Sequence, residues 1–347
     1  MNAKEAVLKR AKIADPAKLK AMQIHPEWSA ARRALETGRT LSGPDGPRSR
    51  WAKAIKTRII DSSGLWLRLA GLYGRGHRNA ADLQLTELEV ALPGLPAAFD
   101  GFRICHVSDT HFDQMPALVP VARRLLDGIE VDLLAVTGDV LGDHHAPPGP
   151  SADMLGEALS GVRVTGRRLA ILGNHDPLTM VAEMERLGFE MLVNRSTAIE
   201  RAGVRLGVTG LDDVHYFYTD AARRALEAEA ANPDCRIALV HSAEVADWAA
   251  SAGYALYLAG HTHGGQICLP GGRPMVANLT RCRHGATGLW REGGMVGYTS
   301  SGLGVAYPPV RFNCRGEAAV ITLRAAPAHP QKQRRSRPPR ADASRPS

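Results

Sequence analysis

Two histidines follow an apolar run in the C-terminal half of the chain. The run 255–259 reads as a buried strand that stops at Gly260, and His261 and His263 come next. Histidines two residues apart on an extended segment point to opposite faces. Because glycines allow sharp turns, these two imidazoles can instead converge on neighbouring metal ions. His-Thr-His alone does not distinguish a metal site from a polar surface loop.

The same arrangement occurs at four strand ends further upstream. Apolar runs precede Asp109-Thr-His111, Gly138-Asp139, Gly173-Asn-His-Asp176 and His241. Ligands of open α/β sheets gather at the carboxyl ends of strands, and so many polar groups at a buried edge would be costly without partners. Together, the five strand ends predict a metal centre.

The elements that must position these residues begin at about Ala80, where short apolar runs start to alternate with helical patterns. The predicted strands are 83–85, 88–90, 102–107, 133–137, 169–172, 204–209, 237–240, 255–259 and 318–323. The predicted helices are 116–126, 151–159, 178–187, 221–231 and 244–252. Such alternation predicts an α/β fold with mixed sheets covered by helices.

The ordered motifs D-x-H, G-D, G-N-H-[DE], H and G-H-x-H, which run from Asp109 to His263, resemble the calcineurin-like metallophosphoesterase superfamily. The resemblance covers roughly residues 80–324 and implies a four-layer α-β-β-α sandwich. Leu92-Pro-Gly-Leu-Pro96 and Gly264-Gly-Gln266 are similar to a phosphodiesterase branch. That branch contains bacterial membrane-associated phosphodiesterases and UDP-diacylglucosamine pyrophosphatases.

This resemblance implies a centre of two divalent ions. The implied ligands are Asp109, His111 and His263 for one ion, Asn174, His241 and His261 for the other, and Asp139 as the bridge between them. Such ions clamp the attacking and leaving oxygens of an in-line displacement, and they lower the pKa of a bound water so that it attacks as hydroxide. The ligand types fit Mn, Fe, Zn, Co or Ni.

His175 and Asp176 are the implied catalytic residues. In the family, the histidine of this motif is not a ligand but faces the leaving group or a phosphoryl oxygen, as an acid or an electrostatic stabiliser. Asp176 would orient it. Gly142 stands where family members often carry a charged residue, and Asp143 and His144 beside it either support the site or face solvent. The residues that follow Gly138-Asp139, and Asp176 at the end of Gly173-Asn-His-Asp176, differ from the corresponding motifs of the Ser/Thr protein phosphatase branch, which disfavours that branch.

Other candidates carry weaker signals. Asp213 and His215 follow a predicted strand and either edge the pocket or form a polar turn. Arg273, Arg283 and His284 lie in a Gly-rich region, where they either meet substrate phosphate or are simply solvated.

The composition is that of a soluble globular protein, with 44% hydrophobic and 22% charged residues among 347. The net charge is +8, but the tail after Ala325 holds six basic residues and one acidic residue, and so contributes a net +5. Because the charge is concentrated at the termini, nucleic acid is an unlikely partner. The five widely spaced cysteines suit reduced thiols in the cytoplasm. We expect no secretory signal in residues 1–33 and no membrane-spanning run.

Residues 1–79 are predicted to be a helical, basic N-terminal extension, with a linker at 41–50 and an interruption at 61–64. Two apolar stripes, at 51–59 and 65–73, are flanked by basic residues: Lys53, Lys56, Arg58, Arg68, Arg75 and Arg78. The extension either packs on the main domain or lies on the anionic inner face of the cytoplasmic membrane. Residues 80–325 are the predicted catalytic domain, and 326–347 a disordered basic tail.

The predicted function is that of a dimetal phosphoesterase that hydrolyses a phosphodiester or pyrophosphate bond. The resemblance points to a lipid-linked or nucleotide-sugar substrate such as UDP-diacylglucosamine. The alternatives are a nuclease and a phosphomonoesterase of a small metabolite. A non-catalytic scaffold would need a lost ligand or a lost His175, and the chain retains all of them. No protein partner is inferred.

Overall fold

A computed structural model describes residues 26–38, 40–228 and 235–326. Residues 1–25 of the predicted extension lie outside the described part of the chain. The predicted disordered tail does too, apart from Ala326. Within the described ranges, no helix combines the length and the apolar character needed to cross a bilayer.

The N-terminal elements are a helix, a β-hairpin and two further helices. In chain order they are α1 (Pro26–Thr37), β1 (Thr40–Gly43), β2 (Gly46–Ser49), α2 (Arg50–Leu69) and α3 (Tyr73–Ala80).

Two sequence predictions for this region are wrong. The predicted linker is a hairpin, because Pro44 and Asp45 form a turn that lets β1 pair antiparallel with β2. The predicted interruption lies inside the continuous helix α2. There the hydroxyl of Ser63 donates to the Ile60 carbonyl at 2.5 Å, and Gly64 packs closely on Pro308.

The remaining elements lie between Gln84 and Ala326, in the range predicted to be the catalytic domain. Its strands are β3 (Gln84–Pro93), β4 (Arg103–Val107), β5 (Glu130–Val136), β6 (Arg163–Ala170), β7 (Glu190–Met191), β8 (Arg195–Arg201), β9 (Val204–Gly210), β10 (Cys235–Leu239), β11 (Leu256–Ala259), β12 (Cys268–Leu269), β13 (Arg273–Pro274), β14 (Gly288–Glu292), β15 (Met295–Thr299) and β16 (Glu317–Ala326). Its helices are α4 (Val119–Leu126), α5 (Pro148–Ala158), α6 (Met180–Arg186), α7 (Asp220–Glu227) and α8 (Ala246–Ser251).

Two six-stranded mixed sheets carry the domain. Sheet I has the order β3-β16-β4-β5-β6-β7, in which β4 to β7 run parallel. Sheet II has the order β14-β15-β11-β10-β9-β8, in which β9, β10, β11 and β15 run parallel. The two edge strands predicted at 83–85 and 88–90 are one continuous strand, β3. The strands predicted from the sequence do not include β7, β8, β12, β13, β14 or β15.

The apolar cores lie in three layers. Side chains such as Ile104 and Leu133 of sheet I meet Leu239 and Leu258 of sheet II in the central layer. The outer face of sheet I is covered by α4, α5 and α6, and that of sheet II by α7 and α8. This arrangement confirms the predicted α-β-β-α sandwich. In it, alternate residues of each strand face the central layer and the helices.

Candidate metal centre

The predicted ligands meet where the carboxyl ends of the two sheets approach each other. Sheet I supplies residues 109–111, 139 and 174–176 from the loops after β4, β5 and β6. Sheet II supplies His241 after β10, and His261 and His263 after β11. Several bonds join the two sheets at this edge. For example, the His261 amide donates to Asp109 Oδ2 at 2.9 Å, and Nδ1 of His241 lies 2.7 Å from the Thr137 carbonyl oxygen.

Asp109, His111 and His263 form the first ligand cluster. All three are buried, and one donor atom of each lies within 4.8 Å of the others. Nε2 of His263 is 3.4 Å from Asp109 Oδ1. Nδ1 of His111 is 2.9 Å from the Leu141 carbonyl oxygen. That bond fixes the tautomer and leaves Nε2 as the ligand atom.

Asp139, His241 and His261 form the second cluster, again buried and within 4.8 Å. Oδ1 of Asn174 joins it at 3.2 Å from His241 Nε2. Nε2 of His261 lies 3.1 Å from the Asn278 carbonyl oxygen. Its Nδ1 is therefore the atom presented to an ion, whereas His241 presents Nε2.

The carboxylate of Asp139 lies between the two clusters. Its Oδ2 is 3.5 Å from His111 Nε2 in the first cluster and 3.2 Å from His241 Nε2 in the second. Its Oδ1 accepts the His175 amide at 2.8 Å. One carboxylate oxygen thus reaches both sites while the other is held by the backbone.

The donor set fits divalent ions. His111 Nε2 and His261 Nδ1 are buried and have no hydrogen-bond partner among the described residues. An unpaired buried nitrogen is costly, and both point into the ligand clusters. A divalent ion in each cluster would satisfy them, and mixed nitrogen and oxygen ligands suit several transition metals without selecting one.

Burial and mutual charge perturb the ligands strongly. Burial raises the pKa of Asp109 and lowers those of His261 and His263. Burial opposes the charged forms of Asp139 and His241, but their hydrogen bond and the opposite charges around each of them together outweigh that effect. The pKa of Asp139 is therefore lowered and that of His241 raised to about 10. Metal binding at His241 must displace this proton, so affinity should depend on pH.

The site is built on a strained backbone. Five non-glycine residues of the clusters have left-handed φ angles: Asp109 (50°), His111 (35°), Asp139 (54°), His261 (73°) and His263 (52°). Such conformations cost about 1–3 kcal/mol each and persist only where the surroundings hold them. Gly173 shows how close the packing is, since an added Cβ would lie 2.1 Å from Asp139 Oδ1.

His175 and Asp176 lie beside the clusters, in the loop after β6. Nδ1 of His175 is 2.7 Å from the Gly142 carbonyl oxygen, and its ring stacks on exposed His144 with centroids 4.2 Å apart. Asp176 was predicted to orient His175, and the structure shows further partners for its carboxylate. Its two oxygens accept four backbone amides, those of Asp139 (2.7 Å), Val140 (2.9 Å), Leu141 (3.0 Å) and Gly173 (2.8 Å).

The structure also shows where the weaker candidates lie, namely Asp213, His215, Arg273, Arg283 and His284. The carboxylate of Asp213 accepts the amides of His215 and Tyr216, as in a polar turn. The same turn presses the His215 ring against His261, with centroids 4.3 Å apart. Arg273 and Arg283 are exposed. His284 is half-exposed, and its Nε2 lies 3.0 Å from Glu292 Oε2.

Sequence reasoning missed three arginines that support the site. Arg311 is fully buried and donates to the carbonyl oxygens of His263 (3.1 Å) and Gly304 (2.7 Å). Arg32 of α1 and Arg48 of β2 reach the loops around the clusters from the N-terminal region. No motif marks them, because their partners are distant carbonyl oxygens and side chains that only the fold brings near.

Comparison with known proteins agrees with this geometry. Residues 102–265 match the family model for calcineurin-like phosphoesterases. This span begins just before β4 and ends two residues after His263, so it contains both clusters. The chain is therefore a metallophosphoesterase, a hydrolase of the calcineurin-like superfamily, which confirms the predicted enzyme class.

Three relatives are similar over most of their length. The uncharacterized metallophosphoesterase YkuE of Bacillus subtilis is 27% identical over 70% of this chain and 86% of its own. The metallophosphoesterase YkoQ of the same organism is 26% identical over 70% and 91%. The phosphodiesterase YaeI of Escherichia coli is 28% identical over 64% and 82%.

Proposed function

We propose that this metallophosphoesterase hydrolyses a phosphodiester or pyrophosphate bond at a centre of two metal ions. The observation that carries the proposal is the position of Asp139, one oxygen of which reaches a histidine of each cluster. A shared carboxylate is what holds two ions close enough to act on one phosphoryl group. The description of YaeI as a phosphodiesterase supports the bond type.

In this proposal, Asp109, His111 and His263 hold one ion, Asn174, His241 and His261 hold the other, and Asp139 bridges them. Ions bound there would polarise the phosphoryl oxygens and lower the pKa of a bound water. His175 would protonate the leaving oxygen or stabilise the charge that develops on the phosphoryl group. Its bond to Gly142 fixes the orientation of its ring.

The test is Asp139→Asn in metal-reconstituted enzyme. The neutral amide offers a weaker ligand atom, so both ions and the activity should be lost together. Asp113→Asn is the matched control, since Asp113 also accepts amides of the 142–143 loop but belongs to neither cluster. Two ions per chain and near-normal turnover in Asp139→Asn would refute the bridging role.

A substrate panel then separates the bond types. Bis-(p-nitrophenyl) phosphate and UDP-diacylglucosamine should be hydrolysed faster than p-nitrophenyl phosphate and single-stranded DNA. A preference for DNA would support the nuclease alternative, and a preference for the monoester would support a phosphomonoesterase.

We further propose that the substrate is lipid-linked and is reached from the cytoplasmic face of an anionic membrane. The support is helix α2, on which apolar residues recur at helical spacing along one side. Trp51, Leu65, Trp66 and Leu69 are 58–76% exposed. Gly64, on the opposite side of the helix, packs on Tyr307 and Pro308. The apolar side therefore faces away from the domain.

Helix α2 also lies close to the loop after β11, which carries His261 and His263. Gln266, three residues after His263, donates to the carbonyl oxygens of Ala306 and Pro308, each at 3.0 Å. Pro308 in turn contacts α2 at Gly64. Exposed Arg58 and Arg68 add basic charge to the helix, and each such group near an anionic leaflet contributes about 1 kcal/mol. A bilayer against α2 would thus lie near the metal centre.

The test is co-sedimentation of the full chain with vesicles of anionic or zwitterionic phospholipid. Replacing Trp51 and Trp66 with serine should weaken binding to anionic vesicles by at least about tenfold, or about 1.4 kcal/mol. Leu289→Ser is the control, because Leu289 is a similarly exposed apolar residue (59%) that belongs to β14 and not to α2. Equal vesicle binding by the double variant and the control would refute membrane docking. If, without vesicles, the wild type sediments as a dimer and the double variant as a monomer, α2 contacts a second copy of the chain instead.

A further inference from the structure

We propose that residues 26–49, comprising α1, β1 and β2 and here called the N-terminal clasp, hold two loops of the metal centre in their working geometry. Arg32 is the main positioning residue of this clasp. The inference rests on the proposed function, because it assigns a role in that reaction to a segment outside the span matched by the family model.

The first loop, 174–178, is held by α1. The guanidinium of Arg32 is fully buried, and its Nη2 donates to the Asp176 carbonyl oxygen at 2.5 Å. One turn further along α1, Glu36 Oε1 accepts both the Leu178 amide at 2.8 Å and Nε of Arg32 at 3.0 Å. The helix therefore holds this loop at Asp176 and Leu178. Asp176 directly follows the predicted acid His175, and its carboxylate accepts the backbone amides of the Asp139 loop.

The second loop, 212–218, is held by the same arginine. Nη1 of Arg32 donates to Oδ1 of buried Asp212, and the Trp28 indole donates to Oδ2 of that carboxylate at 2.7 Å. The guanidinium also lies over the Phe217 ring, 3.7 Å from its centroid. One buried cation thus joins the loop after β6 to the loop after β9.

The hairpin extends this grip towards the ligand His261. The Ser42 amide donates to the Tyr216 carbonyl oxygen at 2.9 Å, and the Tyr218 amide donates to that of Ser42 at 3.0 Å. Nη1 of Arg48 lies 3.1 Å from Nδ1 of His215, whose ring packs on that of His261. The clasp therefore reaches the second cluster along two routes, one through the 174–178 loop and one through His215 and His261.

These contacts affect catalysis because the reacting groups must be placed to within a fraction of an ångström. A misplacement of about 1 Å by a distant mutation can cost about a hundredfold in rate. The clasp donates hydrogen bonds to backbone carbonyl oxygens and to a buried carboxylate. Because these acceptors are shielded from solvent, water cannot take over the bonds when the clasp is altered. Residues 80–325 alone would lack these bonds.

The experiment compares three variants of the full chain. Arg32→Gln should lower kcat about ten- to a hundredfold with a smaller change in KM, and should lower the melting temperature. Arg33→Gln is the matched control at an exposed neighbouring position and should behave as wild type. The double variant Arg32→Met with Asp212→Asn removes both buried charges together. It should recover the melting temperature but not kcat, because the bond to the Asp176 carbonyl is still missing.

Amide hydrogen exchange gives a readout that does not depend on turnover. The amides of Asp139, Val140, Leu141 and Gly173, which bond to Asp176, should exchange at least about tenfold faster in the double variant than in Arg33→Gln. Unchanged exchange, or recovery of kcat to within about threefold of wild type, would overturn the positioning role. Failure of the proposed function is distinguishable, since wild-type enzyme would then lack phosphodiesterase activity whatever the exchange rates.

Discussion

Replacing Asp176 with asparagine tests how the metal loops are held. The carboxylate of Asp176 is buried, and each of its oxygens accepts two backbone amides. Oδ1 accepts those of Val140 and Leu141, and Oδ2 those of Asp139 and Gly173. Asparagine keeps the size of the side chain but has one carbonyl oxygen and one amino group. In either orientation, two of the four backbone donors face that amino group.

The number of backbone donors left without an acceptor determines the expected loss of stability. A buried donor left without an acceptor costs about 1–3 kcal/mol, so two of them predict a loss of about 2–6 kcal/mol in the free energy of unfolding. The loss falls on the loops that carry Asp139 and Asn174. Metal affinity should therefore decrease by about 10–100-fold, as is typical when groups that orient ligands are removed.

The assay is urea unfolding of chelator-treated protein, followed by metal titration and measurement of kcat/KM. Asp113→Asn is the matched control. Asp113 accepts the amides of Gly142 and Asp143, each at 2.8 Å, but it is only half-buried. Water can replace its bonds, and the expected cost is below about 1 kcal/mol. Stabilities of Asp176→Asn and Asp113→Asn within about 0.5 kcal/mol of each other would refute the reasoning.

Two further outcomes follow from the geometry of the site and its neighbours. His175→Ala should keep both ions but slow hydrolysis by about 10²–10⁴-fold. The loss should be smaller for p-nitrophenolate than for an alkoxide leaving group, and equal losses would leave only an electrostatic role. Burial alone would raise the pKa of Glu244, but bonds from His215 and Thr280 lower it to about 2. Because this folded pKa lies below the ordinary value of 4.5, Glu244 stabilises the fold above about pH 4.5, and that stability is lost as the pH falls towards 2. Unfolding of metal-free Glu244→Gln should therefore lack about 3 kcal/mol of acid dependence that the wild type shows, as urea titrations at several pH values would reveal.

The catalytic domain was largely readable from local patterns. Apolar runs ending in glycine, aspartate or histidine predicted β4, β5, β10 and β11, since a buried strand and the turn after it depend on neighbouring residues. The order of the motifs then indicated the superfamily and the α-β-β-α layers. Around β14 and β15 the sequence indicated only a Gly-rich region with short β-like runs, because glycine weakens a strand pattern. The two strands pair with each other across a turn at Gly293 and Gly294.

The N-terminal region shows where local patterns fail. The sequence around Pro44 reads equally as a linker and as a hairpin turn, and the bonds from Ser42 to Tyr216 and Tyr218 determine which one forms. Ser63 and Gly64 read as a helix break, but the packing of Gly64 on Pro308 is compatible with a continuous helix. The apolar stripe of α2 was visible in the sequence, whereas its exposure was not.

By itself, the sequence determined which residue types stand at five strand ends, and therefore the class of chemistry, because ligand identity is a local property of the chain. Only the tertiary structure placed Asp139 between two histidines from different sheets, brought Asp176 under four amides, and joined Arg32 to loops about 140 and 180 residues away. Those relations are distances between segments remote in sequence. They arise from the packing of two sheets and an N-terminal clasp, which no local pattern of residues encodes.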